Sequence, residues 1–202
     1  MGTSVSDDGI VFSVIGDSGN LRLASFTKEG DKKWEAQLTG SKGNGPVIYK
    51  DGTLLVTGDG YLSAYTQEGE LKWKTVFEET NFYESKPFIG RDGLIYVLGR
   101  GNLYVLNIKG DIVLKSPQDC FNGTGLVDKR GNIYFGAGDT QEIVSVSPYS
   151  KGGVSPLFKS PLGYDYGGTI QLYPSAPAIG PDGTIYHVTD EGYLYAIKPK
   201  SP

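Results

Sequence analysis

The sequence predicts an all-β chain, a β-propeller of five four-stranded antiparallel repeats of about forty residues each, with the last repeat three-stranded. Three observations predict it. The first is a glycine turn ahead of an apolar run, seen in DDGIVFSV, KDGTLLVT, RDGLIYVL, KRGNIYFG and PDGTIYHV. Its glycines, Gly9, Gly52, Gly93, Gly131 and Gly183, lie 43, 41, 38 and 52 residues apart, so one unit recurs and the last interval carries an insertion. The second is composition. Among 202 residues, 30 Gly, 14 Tyr and 8 Phe suit short strands joined by tight turns, because glycine accepts positive φ and aromatic rings fit pleated surfaces. The third is that the strand segments are apolar on both faces.

Each repeat resolves into the same series. Strand one precedes the turn, as in GPVIY, KPFIG and APAIG, and strand two follows it, as in TLLVT, LIYVL and TIYHV. A second turn of Gly, Asp or Asn leads into strand three, NLRLASF, YLSAY, NLYVL or YLYAI. A third turn, KEGD, QEGE or IKGD, opens strand four, KKWEA, LKWKT or IVLKS. Glycine-bearing turns between short β-prone runs are hairpin signals, so every repeat is a meander. In strand three, Leu62 and Ala64 point away from Tyr61 and Tyr65, and Leu103 and Val105 away from Tyr104 and Leu106. A sandwich sheet keeps one polar face, whereas a propeller blade is hidden on both. The repeats fall at approximately 2–44, 45–85, 86–123, 124–174 and 175–202, within one domain over residues 1–202, a length that supports a substantial core. Strand one of the first repeat is TSVSD, and the fifth repeat ends on its third strand.

The units GPVIYKDGTLLVTGDGYLSAYTQEGELKWKT and APAIGPDGTIYHVTDEGYLYAIKP resemble the repeats of the pyrroloquinoline-quinone (PQQ)-like β-propeller superfamily. The resemblance covers nearly the whole chain. It rests on the Pro-containing first strand, the Asp-Gly turn, the Leu-Tyr-Ala third strand and a Trp after a glycine turn. It implies that this Trp docks between neighbouring blades. Trp34 and Trp73 match that position, Leu114 replaces it in the third repeat, and the fourth reads PYSKGGVSPLF there. Family members usually carry more blades, so the resemblance implies a piece of a longer propeller. The chain by itself implies a closed five-bladed ring, which is the preferred expectation; an open arc would expose apolar blade faces and favour self-association.

Composition excludes several chemistries. A net charge of −4 without a basic cluster opposes nucleic-acid binding. No apolar run has the length of a membrane span, and the N-terminus lacks the plan of a signal peptide, so the compartment stays open between the cytoplasm and the cell surface. With Cys120 as its one cysteine, the chain has no internal disulfide, no thiolate-rich metal site and no vicinal cysteine pair of the kind many quinoprotein dehydrogenases carry. His187, the one histidine, reads as a packed strand residue and leaves His-based relays unavailable. Turns such as GDSGN and GDGY lack the spaced oxygen donors of a calcium loop, and no helix follows GRGN to make it a phosphate cradle. The expectation is therefore no PQQ, no other cofactor and no metal.

What remains is a face. Strands alternate in direction, so the one-to-two and three-to-four turns share one rim, and the two-to-three turns share the other with the crossings between repeats. The crossings hold the irregular sequence, and irregular loops on a regular scaffold carry function. They bring Phe82, Tyr83, Glu84, Phe121, Asn122, Tyr164, Asp165, Tyr166, Gln171 and Tyr173 toward one rim. Flat aromatics beside short carboxylates and amides suit a peptide or a sugar. The sequence thus reads as a noncatalytic binding or scaffolding propeller with a protein partner preferred to a glycan. The alternatives are a lectin-like propeller or a five-bladed glycosidase, for which Glu84 and Asp165 are the candidate carboxylates.

Overall fold

The computed structural model describes residues 2–78, 85–99, 101–117, 125–137, 142–146, 155–159, 177–188 and 193–198. Among them every regular element is a strand, and no helix is long and apolar enough to cross a membrane. Strands β1 (Thr3–Val5), β2 (Val11–Ile15), β3 (Arg22–Phe26) and β4 (Lys32–Gln37) form a first sheet. A second comprises β5 (Gly43–Ile48), β6 (Leu54–Gly58), β7 (Tyr61–Tyr65) and β8 (Leu71–Val76). The third holds β9 (Phe88–Ile89), β10 (Ile95–Gly99), β11 (Asn102–Leu106) and β12 (Ile112–Pro117). The fourth holds β13 (Leu126–Val127), β14 (Ile133–Ala137), β15 (Glu142–Val146) and β16 (Ser155–Lys159). The fifth has β17 (Ala178–Ile179), β18 (Ile185–Val188) and β19 (Leu194–Ile197). Each sheet follows chain order, and its ladders are antiparallel.

The turns explain this regularity. Between strands one and two, the same pair of backbone hydrogen bonds closes five residues: Tyr49 N–H donates to Thr53 O while Gly52 N–H donates to Tyr49 O. Equivalent pairs close Ser6–Ile10, Gly90–Leu94, Asp128–Asn132 and Gly180–Thr184. The three-to-four turns Thr27–Asp31, Thr66–Glu70 and Asn107–Asp111 repeat the pattern. Its fourth residue sits at positive φ, 85° at Gly52 and 90° at Gly69, so glycine is required there. The register slips by one residue at Ser25/Phe26 and again at Ala64/Tyr65, the bulge such a turn leaves behind.

The chain forms two compact units, one of Met1–Pro87 with Leu106–Val113 and another of Phe88–Val105 with Leu114–Pro202. In the first, Phe12, Val14 and Leu23 pack against Leu54, Val56 and Tyr65 of the next sheet. In the second, Tyr96, Leu98, Leu103 and Val105 pack against Ile133 and Phe135, and Tyr134 against Ile185 and Ile197. A rule emerges from strand alternation. Positions two and four after the turn glycine (Leu54, Val56; Ile133, Phe135) form a leading face that meets the preceding sheet, and positions three and five (Phe12, Val14; Tyr96, Leu98) form a trailing face that meets the following one. The sequence led us to expect both faces of every sheet to be covered. In the fifth sheet Ile185 and Ile197, on the leading side, are buried, and Tyr186, Val188 and Leu194, on the trailing side, are exposed.

The tryptophans tie sheet to sheet. Trp34 Nε1–H on β4 donates to Gln67 O at 2.8 Å, in the three-to-four turn of the second sheet, and its ring lies against Gly69 so closely that a Cβ there would sit 2.7 Å away. Trp73 on β8 repeats the contact with Ile108 O at 2.8 Å and with Gly110. Leu114, in the matching position of β12, has no such donor and packs against the core around Phe88 and Tyr96.

Candidate binding rim

The two sets of loops differ in chemistry. On the short-turn rim the carboxylates serve their own turns: Asp51 accepts from Thr53 N–H, Asp92 from Leu94 N–H and Tyr96 O–H, and Asp182 from Thr184 N–H and O–H. Asp128 accepts from the Arg130 and Asn132 N–H groups, the Asn132 amide and the Tyr134 hydroxyl. Burial works against the charge of Asp128, yet the Asn132 and Arg130 donors prevail and hold its carboxyl below the ordinary range. Asp51 is lowered likewise, with the Thr53 donors and the Lys72 charge overcoming burial. Asp182 is lowered by the donors of Thr184. Burial, reinforced by the charge of Asp128, pushes Tyr134 up to about 12. These acids are consumed by the scaffold.

The other rim is described where β4 crosses to β5 beside the β6–β7 turn. Asp59, in that turn, accepts from Ser41 N–H at 2.6 Å and Ser41 O–H at 3.0 Å, which pins the crossing loop to the turn. Gly40, at a φ of 99°, passes Asp59 where a Cβ would lie 2.6 Å from its carboxylate, so a side chain there would meet both backbone strain and crowding. Tyr61 donates its hydroxyl to Thr39 O at 2.8 Å; burial raises its pKa. Lys74 Nζ lies 3.8 Å from the centre of the Tyr61 ring and donates to Thr39 Oγ1, a cation held on an aromatic face at an exposed position. Thr57 ties the next crossing by donating to Ser85 O. Asp59 Oδ1 is buried with no hydrogen-bond partner among the described residues. The arrangement offers one fixed, exposed ammonium over a buried ring, which suits recognition of carbonyls and carboxylates; the Ser41 and Tyr61 hydroxyls already donate to Asp59 and Thr39. Ser41 and Asp59 have no imidazole between them to make a nucleophile relay.

Sequence reasoning missed Thr39, Ser41, Asp59, Tyr61 and Lys74. Asp59 and Tyr61 read as hairpin residues, and the one available signal was the glycine of TGS before a serine. The residues it favoured, Phe82, Tyr83, Glu84, Phe121, Asn122, Tyr164, Asp165, Tyr166, Gln171 and Tyr173, lie outside the described residues, as does Cys120. His187 is half-buried in mid-strand on β18, in register with Tyr195 of β19.

A family model of PQQ type, described as outer membrane protein assembly factor BamB, matches residues 1–201. The chain belongs to this family. No curated protein matches it. Among solved structures, virginiamycin B lyase from Staphylococcus aureus superposes with a TM-score of 0.69 at 15% identity, over 99% of this chain and 70% of the lyase. BamB from Moraxella catarrhalis gives 0.60 at 16%, over 96% of this chain and 56% of that one. A protein from Lactobacillus plantarum gives 0.67 at 16%, over 98% and 69%. At these identities the likeness shows the fold alone, that of a β-propeller. A BamB-family chain thus shares its architecture with both an assembly factor and an enzyme.

Proposed function

We propose that this BamB-family chain is a noncatalytic propeller that holds a protein partner on the rim of crossings and two-to-three turns. The observation that carries the reading is the division of labour between rims: short-turn acids cap their own backbone, while on the opposite side the buried Tyr61 ring holds Lys74 at an exposed position, with Ser41 exposed beside it. The family description as an assembly factor supports a protein partner rather than a small substrate. The blades are five in this reading, and no cofactor takes part.

Fold does not decide between binding and catalysis, because a lyase shares it. A variant of the Staphylococcus aureus lyase with one histidine replaced by alanine is described as catalytically inactive. Here the sole histidine, His187, is a mid-strand residue. The reading is tested by placing a photo-crosslinking amino acid at Ser41 or Lys74 on one rim and at Lys109 or Asp182 on the other. Protein adducts should form from the first pair. Adducts from the second pair alone would put the partner on the wrong face. Breakdown of a streptogramin by the wild type but not by His187→Ala, or hydrolysis of a glycoside lost in Glu84→Gln, would make the chain an enzyme.

A further inference from the structure

In the second sheet β8 pairs with β7 on one side and with no described strand on the other. Phe77 N–H donates to Gly60 O just beyond the register pair of Tyr61 and Val76, which makes Gly60 and Phe77 a hydrogen-bonded pair. Such pairs alternate along an antiparallel ladder, so the main-chain groups of Trp73 and Thr75 turn toward β7 and those of Lys74 and Val76 turn outward to the edge. The side chains alternate as well. Trp73 and Thr75 are half-buried and donate to Ile108 O and Gly110 O, whereas Lys74 and Val76 share the other face and are exposed, Val76 to 70%. Outward N–H and C=O groups, a fixed cation and an apolar side chain thus lie along one strand edge.

The matching edges of β4 and β12 are blunted. On β4, Glu35 is ion-paired with Lys32 at 2.9 Å and Arg22 at 3.2 Å, and the Gln37 amide is drawn back to Leu21 O and Leu38 O. On β12, Pro117 stands where β8 has Val76, and it has no N–H to offer. Among the described residues Lys74 is held by the Tyr61 ring and Thr39 Oγ1 and by no carboxylate. Lys72 and Lys74 set two copies of β8 against each other by like charge and favour a strand that brings an acid. We propose that β8 takes an extended acidic segment of the protein partner as an added antiparallel strand, with a carboxylate on Lys74 and an apolar side chain on Val76. This rests on the rim reading above, since both residues lie at the end of β8 beside the β6–β7 turn. Main-chain bonds supply the affinity of such a joint, and the acid and apolar pair supplies its specificity.

Fluorescence anisotropy tests this with a labelled, cyclised β-hairpin peptide whose free strand reads Thr-Glu-Thr-Val-Thr, pre-formed so that little ordering cost opposes binding. The wild type should bind it, and should bind the same hairpin with Lys in place of Glu at least about tenfold more weakly. Lys74→Glu should reverse that preference. N-methylation of the Glu and Val amides, which face β8 in the antiparallel pairing, should weaken binding at least about tenfold, and so should Val76→Pro, which removes an outward N–H and leaves the bonds to β7. Both variants are checked for a native circular dichroism spectrum. A wild type that binds neither hairpin, or both equally, overturns the proposal. So does binding that survives both N-methylation and Val76→Pro. If the hairpin fails while a photo-crosslinker at Ser41 still captures protein, the rim holds its partner without the β8 edge; no capture at Ser41 removes the rim reading itself.

Discussion

In the second sheet every residue of β6 and β7 is buried, while in the fifth β18 and β19 bury only Ile185 and Ile197. The two stretches, TLLVTGDGYLSAY and TIYHVTDEGYLYAI, are close variants of one pattern. Their strands pair in the same register, Thr57 with Leu62 and Val188 with Leu194. Burial of a blade strand is thus conferred by the neighbouring sheets, since the sheet's own hydrogen bonds are the same in both. The comparison can be broken or sharpened by substitution.

The largest contrast is expected between Leu62→Ala and Leu194→Ala, which occupy equivalent positions at 0% and 67% exposure. Chemical denaturation should show a loss of about 3 kcal/mol for Leu62, from transfer and cavity together, and within about 0.5 kcal/mol for Leu194. Equal losses would mean that the fifth sheet's trailing face is covered in solution. Next in size is Trp73→Ala. It removes a half-buried ring and a hydrogen bond to Ile108 O, and should cost about 2–3 kcal/mol, against about 1–2 kcal/mol for Leu114→Ala, whose side chain is smaller and makes no polar contact. A Trp73→Ala midpoint equal to the parent's would remove the docking role.

A smaller effect separates two turn glycines. Gly69→Ala meets both positive φ and the Trp34 ring, whereas Gly183→Ala meets positive φ with nothing near its new Cβ. The second should lose about 1 kcal/mol and the first distinctly more, read from thermal or urea midpoints. If they match, the Trp34 ring yields without cost. The smallest effect is electrostatic. The folded-state pKa values of Asp51, Asp128 and Asp182 are depressed, so their stabilisation is complete above the unfolded carboxylate range near pH 4 and is lost as pH falls below it. Tyr134 has the opposite sign: raised to about 12, it stabilises below about pH 10 and loses that contribution as pH climbs toward 12. Asp128→Asn should flatten the acid limb of a stability–pH profile and lower the Tyr134 titration; an unchanged Tyr134 titration would show that Asp128 does not face it.

Much of the scaffold was legible because its determinants are local. A glycine at the fourth position of a five-residue turn, and alternation within each strand, act over neighbouring residues and are written in the chain. The rim was less so. Ser41, Asp59 and Lys74 lie far apart in sequence, and each looks ordinary where it stands: a loop serine, a hairpin aspartate, an outer-strand lysine. Their meeting depends on the crossing loop being pinned to the turn. The aromatic crossings that the sequence favoured lie outside the described residues and stand as they did.

By itself the sequence determined the repeat, the order of strands in each sheet, the positions of the turns and the apolarity of both strand faces, because turn conformation and side-chain alternation follow from a few adjacent residues. Only the tertiary structure decided which apolar residues are covered, that Trp34 and Trp73 each reach the following sheet's turn, that short-turn acids are consumed by capping while Lys74 stands on Tyr61, and that Leu194 is exposed where Leu62 is buried. Those are contacts between repeats whose local sequences are nearly alike. What differs among them is the neighbour, and a neighbour is supplied by packing.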